Sequence, residues 1–169
     1  MYPNKHKQIV TSLMDGRFIT IDESYFEIVK KNQNFYAEFF DKSFGFELKN
    51  TQEFYYLISE ETNESTSRDI SILFSIFCYE LDKDGKNFMD ELGFSDFHID
   101  EIVEYIKNSS WTDIVKSNKQ LNDADSIKRL VGSTMVKRNI AVKHSGDNYS
   151  FTKAHKLFID FAKDLIKKN

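Results

Sequence analysis

SRDISILFSIFCYELDKD, residues 67–84, is the stretch on which the rest of the chain hangs. With Ser67 as N-cap, Ile70, Leu73, Phe74, Phe77 and Leu81 fall on one helical face at i, i+3, i+4, i+7 and i+11. Ile72, Ile76 and Tyr79 cover much of the remainder. A helix that is apolar nearly all round is either buried on several sides or spans a membrane. Asp69 and Glu80 bound an uncharged run of about ten residues, half of the roughly twenty that a spanning helix needs. The pattern predicts a core helix that opens a second domain and packs back on the first.

Upstream of it, Ile9, Val10, Leu13 and Met14 have helical spacing and Gly16 is a natural stop. Phe18 to Ile21 reads as a short extended run, and Ser24 with Glu27 as a capping box for a second helix. Phe35, Tyr36, Phe39, Phe40 and Phe44 give a third helix a thick aromatic face. The period then changes to two. Phe46 and Leu48 alternate with Glu47 and Lys49, Asn50 to Gln52 supply turn chemistry, and Phe54 to Ile58 returns as a strand. Three short helices and a hairpin is the winged-helix order. Residues 59–66, SEETNEST, are polar and acidic and mark the boundary between domains 1–62 and 63–169.

Downstream, Asp82-Lys83-Asp84-Gly85 has the look of a calcium loop. Its glycine comes two positions early, however, and Gly93 stands where the bidentate Glu belongs, so it reads as a turn. Ile99, Ile102, Val103 and Ile106 predict an amphipathic helix. Trp111, Ile114 and Val115 suggest a helical turn within a polar loop. Asp125 is the expected cap for a helix over 126–138, with Ile127, Leu130, Val131, Thr134 and Met135 facing inward. Ile140 to His144 and Tyr149 to Thr152 flank Ser145-Gly146-Asp147-Asn148, a second hairpin. A last helix over 153–168 carries Ala154, Leu157, Phe158, Phe161, Ala162 and Leu165. The second half repeats the first in kind: mainly α with small β-hairpins, two winged helices in tandem.

Composition narrows the chemistry. The 169 residues carry a net charge of −4, which gives no global drive toward nucleic acid or membrane. The single cysteine, Cys78, fits a reducing compartment, and no amino-terminal stretch resembles a signal peptide, so the cytoplasm is expected. No nucleophile elbow, phosphate-binding loop or HExxH occurs. His6, His98, His144 and His155 lack ligand spacing, and the adjacent pairs Asp22/Glu23 and Asp100/Glu101 do not face each other on a helix. The residues nominate no catalytic group, metal or cofactor. What remains is basic: Lys128, Arg129, Lys137 and Arg138 on the helix before the second wing, and Lys143 on the wing. In a winged helix that is where a duplex is met and phosphates are neutralised. A solvated face carrying charge for solubility is the competing reading.

The ordered residues Gly16-Arg17-Phe18-Ile19, Asp22-Glu23, Phe35-Tyr36, Glu53-Phe54-Tyr55-Tyr56-Leu57, Cys78-Tyr79 and Lys128-Arg129 to Lys137-Arg138 span most of the chain. Together they resemble the MukE family, including its MksE branch. The resemblance implies a non-catalytic, homodimeric tandem winged-helix subunit of a bacterial condensin-like complex. Such a subunit would bind a MukF- or MksF-like kleisin, and through it an SMC ATPase, in nucleoid-associated chromosome condensation and partition. It further implies DNA contact through Arg129, Lys137 and Arg138. The chain stops after its last helix without the acidic tail expected of MukE proper, which leaves a housekeeping condensin and a plasmid-defence relative both open.

A stand-alone dimeric winged-helix transcription regulator is the alternative. It should carry two basic recognition helices, whereas the helix over 32–43 is aromatic and nearly neutral. Phe35, Tyr36, Phe39 and Phe40 are therefore expected at a dimer interface, since about sixty residues bury so much aromatic area poorly. Ile72, Ile76 and Tyr79 are expected under a partner segment. DNA binding by the second domain is expected to be weak and sequence-independent.

Overall fold

Residues 1–59 and 64–167 are described by a computed structural model. Two units divide the chain, Met1–Thr62 and Asn63–Asn169. Each is mainly helical, with a three-stranded antiparallel sheet.

In the first unit, helix α1 (His6–Met14) leads into strand β1 (Ile19–Thr20) and helices α2 (Ser24–Lys31) and α3 (Gln33–Phe44). Hairpin strands β2 (Glu47–Asn50) and β3 (Phe54–Ile58) follow. Strand β3 is central, pairing Tyr55 with Ile19 on one side and Leu57 with Leu48 on the other. Each helix contributes apolar residues about one turn apart, which places them on one face. Ile9 and Leu13, Phe26 and Val29, and Tyr36 and Phe40 close over Ile19 and Tyr55 as one core. At the end of α1 the left-handed Gly16 lets the Arg17 N–H reach back to the Ser12 carbonyl at 3.0 Å. That backbone closure satisfies a carbonyl the helix leaves open.

The second unit is organised by α4 (Glu64–Lys83). It continues through α5 (Phe88–Phe94), β4 (Phe97–His98), α6 (Ile99–Lys107), α7 (Thr112–Ser117) and α8 (Ala124–Arg129). A π turn (Leu130–Met135) extends α8, and β5 (Ala141–His144), β6 (Asn148–Phe151) and α9 (His155–Lys167) complete the unit. Ile70, Leu73, Phe74, Phe77 and Leu81 of α4 are fully buried, as the helical spacing requires. The Phe77 ring meets Phe97 at 4.9 Å, Tyr105 at 5.4 Å and Phe151 at 6.2 Å. Phe74 lies 5.1 Å from Phe151 and 6.1 Å from Phe158. One helix thus holds the sheet, α6 and α9 together through aromatic contacts. Strand order is β4-β6-β5, with Phe97 opposite Tyr149 and Ala141 opposite Phe151.

Several local expectations are corrected. Helix α4 starts at Glu64, so Ser67 lies inside it; the Ser67 carbonyl accepts from the Ser71 hydroxyl at 2.9 Å. The Ser24/Glu27 capping box does not form. Glu23 is the N-cap of α2, and its own carboxylate is engaged by the Thr20 N–H at 2.8 Å and by Arg17 at 2.8 Å. Asp123, not Asp125, caps α8, accepting the Ser126 N–H at 2.7 Å. Helix α5 and strand β4 are elements that the sequence pattern does not predict. Asn87 caps α5, its side-chain oxygen taking the Met89 and Asp90 N–H groups. Asp82-Lys83-Asp84-Gly85 is a helix stop: at the left-handed Gly85 the Lys86 N–H reaches the Leu81 carbonyl at 3.0 Å. Lys168, expected in the last helix, lies outside the described residues.

Phe77→Ala leaves a void where three rings converge, and such truncations cost about 3–5 kcal/mol. Urea unfolding followed by circular dichroism is expected to show a loss of that size; a loss below about 1 kcal/mol would mean that Phe77 does not anchor the unit.

Candidate functional site

Three surfaces carry the residues singled out by sequence, one in the first unit and two in the second. In the second, α8 and its π turn run into the β5–β6 hairpin. Ile127, Leu130, Val131 and Met135 are buried beneath them. With these apolar residues spent on the core, the charged positions face outward. Lys128, Arg129, Lys137 and Lys143 are exposed and Arg138 is half-buried.

These five groups are not equivalent. Lys128 pairs with Asp100 at 3.3 Å, and Lys143 with Asp147 at 3.3 Å. Arg138 precedes the helix stop at the left-handed Asn139, and burial pulls its guanidinium below the usual arginine range. Arg129 and Lys137 are exposed and have no ion pair among the described residues. They are the cations most available to a phosphate. Exposed pairs such as Lys128–Asp100 and Lys143–Asp147 contribute little to stability, so those lysines can exchange partners at small cost.

A further cation was missed by sequence reasoning. Hydrogen bonding from Ser126 holds the Asp123 carboxyl below its ordinary range, and the charges of Arg129 and Lys107 act in the same direction. Helices α6 and α8 pack together, which brings Lys107, at the end of α6, within electrostatic reach of Asp123 at the start of α8. Nothing in the sequence announces this, because the fold alone brings these distant positions together.

In the first unit, α3 and the β2–β3 hairpin border a groove of about 960 Å³. Ala37, Phe46, Leu48 and Ile58 line it, with Glu38, Asp41 and Glu47 among its polar groups. Lys42 is bound to Glu38, and this contact keeps the Glu38 carboxyl below its usual range. The expected aromatic interface divides in two here. Tyr36 and Phe40 are fully buried core residues and present no area to a partner, because their spacing points them at Ile19 and Tyr55. Phe35 and Phe39 are half-buried, and Phe44 is 46% exposed. Phe35 and Phe39 also pack around His6, whose ring stacks on Tyr2 at 4.5 Å and on Tyr36 at 5.7 Å.

The expected face on α4 is similarly reduced. Ile76 is only 2% exposed, Ile72 is half-buried and Tyr79 is 45% exposed, its ring edge-on to Trp111 at 5.7 Å. The other histidines have local roles. His98 Nδ1 accepts the Asp100 N–H at the start of α6, His144 bonds Ser150 at 2.7 Å, and the buried His155 bonds the Thr152 carbonyl at 2.6 Å. Among the described residues there is no cluster of three His, Cys, Asp or Glu side chains able to hold a metal. Among them, too, no helix is long and apolar enough to cross a membrane. Burial pushes the Cys78 thiol up to about 12, which leaves it a poor nucleophile.

A family model described as "Condensin complex protein MksE" matches residues 4–163. No curated protein matches the chain.

Proposed function

The chain belongs to the MksE family of condensin complex proteins, and on that premise we propose that it is the accessory subunit that binds the kleisin of an SMC complex and contacts duplex DNA. The family is one of accessory subunits of a condensin complex. The order α1-β1-α2-α3-β2-β3 supports reading the first unit as a winged helix. In the second unit β4, α6, α8 and the β5–β6 hairpin support the same reading.

The carrying observation is the contrast between the helices that precede the two hairpins. In the second unit, α8 and its π turn present Arg129 and Lys137 to solvent. In the first, α3 presents half-buried and exposed phenylalanines beside a groove containing Glu38, Asp41 and Glu47. A phosphate backbone is drawn to the former, whereas the latter, where Lys42 pairs with Glu38 and Lys49 with Glu47, offers it no net attraction. We assign protein partners to the first unit and DNA to the second.

Three consequences can be measured. A homodimer is proposed through Phe35, Phe39 and Phe44 of the first unit. Phe39→Asp, at a half-buried position, should sediment as a folded monomer, whereas Phe40→Asp should unfold the unit. A wild-type chain that sediments only as monomer at micromolar concentration removes the dimer. Second, co-expression with an MksF-like kleisin from the same genome should give a stable co-purifying complex; recovery of neither protein with the other rejects the assignment.

Third, DNA binding should be weak and salt-sensitive. If three phosphates are neutralised, log K falls with log salt at a slope of about −2.7, from roughly 0.9 per phosphate. Arg129→Glu/Lys137→Glu should flatten that slope and lower affinity at low salt. Equal affinities and slopes would make the patch a solvated face.

A further inference from the structure

The helix that carries Arg129 and Lys137 is not a regular α-helix. Between Leu130 and Met135 it widens into a π turn, and α-helical geometry resumes at Val136. In an α-helix each residue advances about 100°, so positions eight apart stand about 80° apart on the wheel. A π turn absorbs about one extra residue, which sets everything after it back by about 100° and leaves such a pair within about 20°. Of the pairs eight apart across the π turn, Ile127/Met135 and Arg129/Lys137 match in burial, whereas Lys128 is exposed and Val136 half-buried. Ile127 and Met135 are both fully buried, whereas Thr134, which an unbroken α-helix would align with Ile127, is only half-buried. Arg129 and Lys137 are both exposed.

A close approach lies beside the widening. Gly132 sits in the π turn, and a Cβ built on it would lie 2.9 Å from the Tyr149 hydroxyl oxygen. Tyr149, on β6, is 5% exposed and opposite Phe97 in the sheet. Its ring therefore stands against the helix backbone where only glycine gives room. Below the turn, the Ile140 N–H reaches the Met135 carbonyl at 2.9 Å, and the Asn139 N–H the Val136 carbonyl at 3.0 Å. This closure at a left-handed residue locks the register in which Met135 and Ile140, both fully buried, face the core.

We propose that the π turn, seated under Tyr149, is the register device that brings Lys137 into line with Arg129, and that Gly132 and Tyr149 are positioning residues for the phosphate contact. The functional half of this rests on the DNA reading above; the register half does not.

Deletion and insertion separate the two. Removing Ser133 from the full chain should turn the π turn into α-helix while Met135 and Lys137 keep their faces. That variant is expected to melt within a few degrees of wild type. An alanine inserted after Ser133 has no slack to use and should melt far lower. Equal destabilisation by deletion and insertion overturns the register device, whether or not DNA binds.

On a fluorescent duplex of arbitrary sequence, the Ser133 deletion should keep the wild-type salt slope, while Lys137→Ala should lower it by about 0.9. Gly132→Ala should lose slope in the same sense, and Gly132→Ala/Tyr149→Phe, which removes the crowding oxygen, should regain it. A Gly132→Ala slope equal to wild type overturns the positioning role. If the wild type shows no salt-dependent binding at all, the DNA reading and the positioning role fall together, and the melting comparison still decides the register.

Discussion

A helix that is apolar on nearly every side is stable in water only where other elements cover it, and α4 places that demand on the second unit. Its face of Ile70, Leu73, Phe74, Phe77 and Leu81 is met by α6, α9 and the sheet, through rings on Phe97, Tyr105, Phe151 and Phe158. Because Phe151 lies on β6 and Phe97 on β4, the same contact fixes the sheet. The sheet in turn sets Tyr149 against the helix that carries the basic residues. The position of the candidate phosphate-binding face thus descends from hydrophobic cover of one helix rather than from any contact made by the face itself.

Polar groups on α4 specify what apolar burial leaves loose. The buried Glu80 accepts the Ser110 N–H at 3.2 Å, and Asp69 accepts the Asn118 side-chain N–H at 2.9 Å. Glu80 lies near one end of α4 and Asp69 near the other, whereas Ser110 and Asn118 bracket α7 in reverse order. The two bonds lay α7 antiparallel along α4. Hydrophobic contact is non-directional and could not choose that orientation alone. The Tyr79–Trp111 edge contact lies between these bonds and follows from them.

Legibility followed length and local chemistry. The buried face of α4 and the second hairpin could be read because their information is contiguous: a long period of 3.6, and a turn of Ser145, Gly146 and Asp147 between two short apolar-bearing runs. Strand β4 could not, since two residues carry no period and its partner β6 is remote in sequence. The helix starts differ from the caps expected at Ser24, Ser67 and Asp125 because several residues near each start can accept an N–H. At the site, the charges were legible but their availability was not. Asp100 is remote from Lys128 in sequence, and the fold alone makes it a partner. The π turn left no sequence signal beyond a glycine in mid-helix, a residue that also occurs there for packing. Aromatic area points Tyr36 and Phe40 to an interface, and the all-round apolar pattern of α4 points Ile76 to one, yet backbone spacing commits them to burial.

The divergence of the two units has a geometric basis. In each, the helix before the hairpin commits only part of its circumference to the core: Tyr36 and Phe40 in α3, and Ile127, Val131 and Met135 in α8 and its π turn. The exposed positions answer to no such packing, so one helix can carry Glu38 and Asp41 and the other Arg129 and Lys137 without changing the fold. On the proposed reading, a duplex would then find one receptive face per chain. A face with so few unpaired cations holds few phosphates, and each neutralised phosphate supplies only part of the salt-dependent affinity. The net charge of −4 gives no long-range steering, and screening confines the patch to about 8 Å at physiological salt. Such a face acts at contact distance alone. It fits a subunit whose DNA is brought to it by the complex rather than one that must find its own site.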